Sequence, residues 1–188
     1  MGSDIGPVMQ HGYIVADVEQ TAREWVDRVG VGPFYILERN AMDQYHYRGQ
    51  RIDIELKLAF AYCGGIQIEL IQQLNEADTL YSRATRNSAG KLNHFASVVS
   101  DLDGLLARRK LENRVIQSGK MPSGVKFVYL EEFAPGGQHL ELIQPSENAL
   151  MGFAGMEAVA RHWDGKSPLR PMSALGNDLA TLKSVRSS

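Results

Sequence analysis

Two glutamates, Glu69 and Glu141, hold matching places in two near-identical runs, IQIELIQQ at 66–73 and QHLELIQP at 138–145. Apolar and polar residues alternate through both runs, as in a strand with one buried face. A carboxylate inside such a run is costly unless it is paired, protonated or bound to a metal, so two at matching places ask for a shared partner. Gln10 and His94 enlarge the set, because each stands seven residues before an aspartate, Asp17 or Asp101, suited to cap a helix. Each half of the chain then offers one polar residue from its first strand and one glutamate from its last. One imidazole nitrogen, two carboxylates and an amide oxygen suit a divalent first-row metal (zinc, nickel, cobalt, manganese or iron), with positions left for water or substrate. His11 is an alternative to Gln10. If a bulge exchanged their faces, His11, His94 and a glutamate would form the two-histidine, one-carboxylate set of a non-haem iron oxygenase.

The elements that must position these residues read as a repeat. A first module at 1–74 opens with a strand at 8–15, continues with a helix at 18–29 stopped by Gly30 to Pro33, and adds strands near 34–37, 44–49, 52–62 and 66–72. Residues 75–91 are polar and without sustained period, the expectation being a linker with a short helical turn. A second module at 92–145 repeats the order, with a strand at 92–99, a helix at 102–113 and strands at 115–118, 125–130 and 139–144. Residues 146–188 form a C-terminal extension, with an amphipathic helix at 147–163 whose apolar side is Leu150, Phe153, Met156 and Val159, then a tail frayed at 184–188.

Other side chains are candidates to touch a substrate. His139 shares a strand face with Glu141 and could serve as acid or base. Tyr81 and Arg83, in the linker, could fold over a cavity and bind an anionic group, and Tyr129 could hydrogen-bond a substrate oxygen. A thioester or glutathione substrate would want cations at the cavity mouth, for which Arg39, Arg48, Arg51, Arg83 and Arg86 compete.

Composition excludes several other functions. The net charge of −2 comes without a basic stripe, which argues against nucleic acid as a partner. A lone cysteine, Cys63, rules out an internal disulfide and a four-cysteine zinc site. No apolar run reaches the span of a bilayer, and residues 1–7 lack the parts of a signal peptide, so the expected location is cytoplasmic and no membrane partner is expected.

The paired modules, the GVGPF run at 30–34, the strand ends IELIQ and LELIQP and the NHFASVVSD opening at 93–101 resemble the vicinal oxygen chelate superfamily, which includes glyoxalase I, methylmalonyl-CoA epimerase, extradiol dioxygenases and bleomycin-resistance proteins. The resemblance covers about residues 8–145, while the HWDG run at 162–165 is similar to an extension in some glyoxalase-like relatives. It implies an α+β fold of two tandem βαβββ modules curved around a cavity, a homodimer, a small-molecule substrate, and Gln10, Glu69, His94 and Glu141 as metal ligands. The activity implied is a metal-dependent isomerase, epimerase or lyase that chelates adjacent substrate oxygens and abstracts a proton beside a carbonyl, with Glu141 and Glu69 as the bases. The alternatives are an iron-dependent extradiol dioxygenase and a non-catalytic drug-binding module.

Overall fold

The computed structural model of the chain describes residues 4–40, 42–88 and 90–186. In the first half, β1 (Val8–Ile14) leads to α1 (Val18–Val29), β2 (Phe34–Asn40), a hairpin of β3 (Gln44–Tyr47) and β4 (Gln50–Arg51), then β5 (Leu56–Cys63) and β6 (Ile66–Gln73). After α2 (Leu80–Ser88), the second half runs through β7 (Leu92–Val98), α3 (Leu102–Arg109), β8 (Val115–Lys120), β9 (Lys126–Leu130) and β10 (His139–Gln144). The extension adds α4 (Glu147–Ala160), β11 (Leu169–Pro171) and α5 (Leu175–Arg186).

All these strands join one mixed sheet in the order β11-β2-β5-β6-β1-β7-β10-β9-β8-β3-β4. The first strands of the two halves, β1 and β7, meet antiparallel at the centre, and each is flanked by the last strand of its own half, β6 or β10, running parallel to it. On one face α1 packs over Ala59, Ala61, Ile68 and Leu70, and α3 over Val128, Leu130, Leu140 and Leu142. The other face curves around a cavity.

The two IELIQ and LELIQ motifs explain how each half is pinned. The glutamine that ends each motif turns to the outer face and accepts from a helix's first N–H: Gln72 Oε1 from Val18 at 3.1 Å, Gln144 Oε1 from Leu102 at 2.9 Å. The capping aspartates complete these ends, Asp17 accepting from the Gln20 N–H and Asp101 from the Gly104 N–H, both at 2.9 Å. Two of the four open N–H groups at each helix start are thereby satisfied by conserved offsets within the repeat.

Three elements depart from the sequence expectation. The 75–91 segment contains a nine-residue helix, α2, rather than a turn, because its Tyr81 is fully buried and anchors it over the cavity. The β3–β4 hairpin leaves the first half and pairs with β8, at the far edge of the second, so the modules are not separate sheets. The tail is structured: β11 pairs parallel with β2, and α5 packs on α4 where Leu179 lies against Gly155. Tyr35 and Arg170 close that junction on Asp178, at 2.6 and 2.9 Å. In α4, Met156 and Val159 are buried, whereas Leu150 is 46% exposed and does not belong to the packed side. Residues 187–188 of the expected frayed end lie outside the described residues.

Candidate active site

The site lies on the central four strands, and its geometry follows from their register. Glu69 on β6, Gly12 on β1, His94 on β7 and His139 on β10 form one cross-strand row; Gln67, Gln10, Ala96 and Glu141 form the next. Side chains two residues apart on a strand share a face, so both rows lie on one face of the sheet, and Gln10, Glu69 and Glu141 from them line the cavity. The two central positions, Gly12 and Ala96, are small. A Cβ on Gly12 would overlap the His94 ring, so the imidazole lies over Gly12 and reaches toward Glu69 on the strand beyond. Strand alternation in the sequence puts Gly12 on the face of Gln10, two residues on, but gives it no role.

His94 Nε2 stands 3.3 Å from Glu69 Oε2 and 3.4 Å from Glu141 Oε2, without hydrogen-bond alignment to either. Single donor atoms of the three residues fall within 4.8 Å of one another, in reach of a common ion. All three residues and Gln10 are buried. Gln10 Oε1, Glu69 Oε2, His94 Nε2 and Glu141 Oε2 are each without a hydrogen-bond partner. Buried polar atoms are normally partnered, and four orphans meeting in one place form a donor set that fits a divalent cation.

The surrounding groups orient these atoms. His94 Nδ1 lies 3.3 Å from Asn93 Oδ1, an acceptor, which leaves Nε2 as the nitrogen free to ligate when the ring is neutral. Gln10 Nε2 donates to Gln67 Oε1 at 2.7 Å, and Gln67 Nε2 donates to the Tyr62 hydroxyl at 3.2 Å, so the Gln10 amide is held with its oxygen toward the cavity. Burial pushes the Glu69 carboxyl above its ordinary pKa, with the neighbouring His94 opposing and the Glu141 charge adding to the rise. For His94 burial acts downward, but the Glu141 and Glu69 carboxylates outweigh it and lift the imidazole to about 9 in the metal-free protein.

Above this floor is a cavity of about 340 Å³. Tyr129, directly across from Glu141 in the sheet, stacks edge-on to the His94 ring at 4.9 Å, and its hydroxyl meets that of Tyr81 from α2 at 3.2 Å. Both tyrosines are buried, which holds their pKa values well above the ordinary phenol and keeps them as neutral donors. Gln117 and Tyr45, not singled out from the sequence, lie behind them with buried polar atoms lacking partners. The far wall comes from the extension through Ala149, Gly152, Phe153 and Met156 of α4.

The remaining sequence candidates lie elsewhere. His11 is on the opposite face, edge-on to Phe95 at 5.2 Å, because the register irregularities of β1 fall at Val8/Gln10 and Gly12/Tyr13 and leave Gln10, Gly12 and Ile14 together on the buried face. Arg83 points outward and is paired with Asp78 at 2.6 Å, so it does not reach the cavity. His139 is beside His94 in register but outside the cavity lining, its Nδ1 accepting from the Glu132 N–H at 3.1 Å. Gln10 and Glu69 come from one half and His94 and Glu141 from the other, so one chain holds the whole set.

The family model described as Glyoxalase/Bleomycin resistance protein/Dioxygenase superfamily matches residues 9–129, well over half of the chain. The chain belongs to this superfamily. Among solved structures, a methylmalonyl-CoA epimerase from Mycobacterium tuberculosis is similar at 19% identity, with 80% of this chain and 95% of the other covered and a TM-score of 0.57. A hypothetical protein from Bacillus halodurans matches at 18% identity, with 75% and 95% covered and a TM-score of 0.55. A mutant 4-hydroxymandelate synthase from Streptomyces coelicolor matches at 15% identity over 74% of this chain and 38% of its own, with a TM-score of 0.52. At these identities the superfamily's shared architecture is what the structures have in common with this chain. No curated protein sequence matches. Among the described residues, no helix is long and apolar enough to cross a membrane.

Proposed function

We propose that the protein is a metal-dependent isomerase or epimerase that moves a proton on the carbon beside a substrate carbonyl. The observation carrying this reading is the set of four buried, unpartnered donor atoms on Gln10, Glu69, His94 and Glu141 at the floor of a cavity. Zinc, nickel, cobalt, manganese or iron in divalent form would suit these residues, and such an ion supplies Lewis-acid polarisation of two adjacent substrate oxygens.

The chain's own residues then divide the work. Glu141 and Glu69 approach His94 Nε2 from opposite halves of the sheet, so a substrate held between them offers one face of its carbon to each. Glu141 takes the carbon-bound proton, and Glu69 serves as the second base on the opposite face. The Tyr129 hydroxyl donates to the substrate oxygen on which negative charge develops. Lyase chemistry would need a leaving group beyond this proton transfer. A ring-cleaving dioxygenase would need a second histidine in the donor set, whereas His11 is on the opposite face and His139 stands outside the Glu69, His94 and Glu141 group.

Glu141→Gln tests the assignment, because the amide keeps an oxygen for the ion but cannot accept a proton. With a simple α-hydroxyketone in D2O, exchange of the carbon-bound proton followed by NMR should fall by roughly 10²–10⁴-fold, as for loss of a general base. Bound metal should remain. Exchange at the unmodified rate would refute the role.

A further inference from the structure

Resting on the proton-transfer reading above, we propose that the substrate is a small, uncharged and largely apolar compound whose only polar end is its pair of adjacent oxygens, rather than a polyanionic thioester or a glutathione adduct. The cavity has a sharp division of character. Its floor carries Gln10, Glu69 and Glu141, whereas its walls are built from Leu58, Phe60, Phe127, Ile143, Phe153 and Met156 and further side chains of the same kind. Among the described residues, the lining contains no lysine or arginine, and its charged groups are Glu69 and Glu141. Once these two carboxylates face a dication, the site is neutral, and the cavity holds no counter-charge for a ligand anion. An unpaired charge drawn into such walls loses hydration without compensation, while an aryl or branched alkyl group gains from burial.

Four of the five arginines that competed for an anionic tail are engaged elsewhere, and the side chain of Arg86 lies outside the described residues. Arg39 pairs with Glu55 at 3.9 Å, Arg48 with Glu131 at 3.7 Å, and Arg83 with Asp78 at 2.6 Å. Arg51 donates to the Asp43 carbonyl at 3.3 Å. The remaining polar lining is neutral, with Asn40, Ser123 and Asn148 beside the two tyrosines. A volume of about 340 Å³ also sits near the small end of ligand sites, which run from about 300 to 1,000 Å³. The C-terminal extension adds to this selection, since α4 lines one side of the cavity with Phe153 and Met156.

The test uses the zinc-loaded full chain and four probes: 2-hydroxyacetophenone, its para-sulfonated analogue, hydroxyacetone and a coenzyme A thioester. Calorimetric titration should give 2-hydroxyacetophenone at least about tenfold tighter binding than each of the other three. Equal or tighter binding of the sulfonated ketone or of the thioester would overturn the proposal, as would equal binding of hydroxyacetone. Proton exchange from the bound ketone into D2O is read separately. Selective binding without exchange upholds the ligand class and removes the proton-transfer chemistry. Exchange accompanied by preference for the charged probes does the reverse.

Discussion

Replacing Gly12 by alanine should separate a site built by register from a chance meeting of polar residues. A methyl there overlaps the His94 imidazole at Cε1, Nε2 and Nδ1, and the ring's retreat is limited by Tyr129, whose ring centre is 4.9 Å away. Overpacking of this kind costs about 1–3 kcal/mol. Stiffening the unfolded chain offsets about 0.4–1 kcal/mol, so clash wins and a net loss of roughly 1–2 kcal/mol remains. For a chain of this size that is a fall in melting temperature of roughly 2–8 °C. The imidazole, pushed aside, also leaves its place between the glutamates. Metal affinity should therefore drop by at least about 10–100-fold, the scale of losing an orienting neighbour. Thermal melts of the metal-free protein and competition against a chromophoric chelator read the two effects. In a His94→Ala background the clash has no second party, so Gly12→Ala should then cost less than about 0.5 kcal/mol. Unchanged melting and affinity in the single variant, or an equal penalty with and without the histidine, would refute the account of the site.

Gln67→Leu removes the acceptor that orients Gln10 without touching any of the four donor atoms. Metal affinity should fall by about 10–100-fold while the Glu69 and Glu141 side of the site is unaltered; an unchanged affinity would show that the Gln10 amide needs no support. Loading the site also has a proton cost, since the carboxylates hold the His94 proton up to about pH 9 in the metal-free protein. Ligation needs the neutral ring, so apparent affinity should weaken as pH falls below about 9. Titrations in buffers of different ionisation enthalpy should show proton release near neutrality, to which the His94 proton contributes about one.

The sequence revealed those parts of the fold that repeat. IQIELIQQ and QHLELIQP carry the same pattern, and the offsets from Gln10 to Asp17 and from His94 to Asp101 are equal, so two halves and four inward residues could be aligned without coordinates. What lacked a partner in the repeat was hidden. The β3–β4 hairpin crosses to β8 through long-range pairing that no local pattern announces. The helix at Leu80–Ser88 is polar in composition and is placed by one aromatic residue, Tyr81, and its docking is a tertiary effect. β11 has three residues, too few for any periodicity. Within the site, alternation puts Gly12 and Gln67 on the faces of Gln10 and Glu69, but their roles stayed hidden because their part is to make room for a ring and to aim an amide. Neither act has a residue signature. Arg83 was a reasonable candidate on charge alone, but Asp78, five residues earlier, claims it locally.

The hairpin that crosses from the first half to the second has a consequence for how such a chain can evolve. Because the tip of one repeat completes the outer border of the other, neither repeat retains its full perimeter if the gene is cut at the junction between them. The first half carries the second half's outer boundary, and the C-terminal extension carries the first half's, so the chain holds together as one unit.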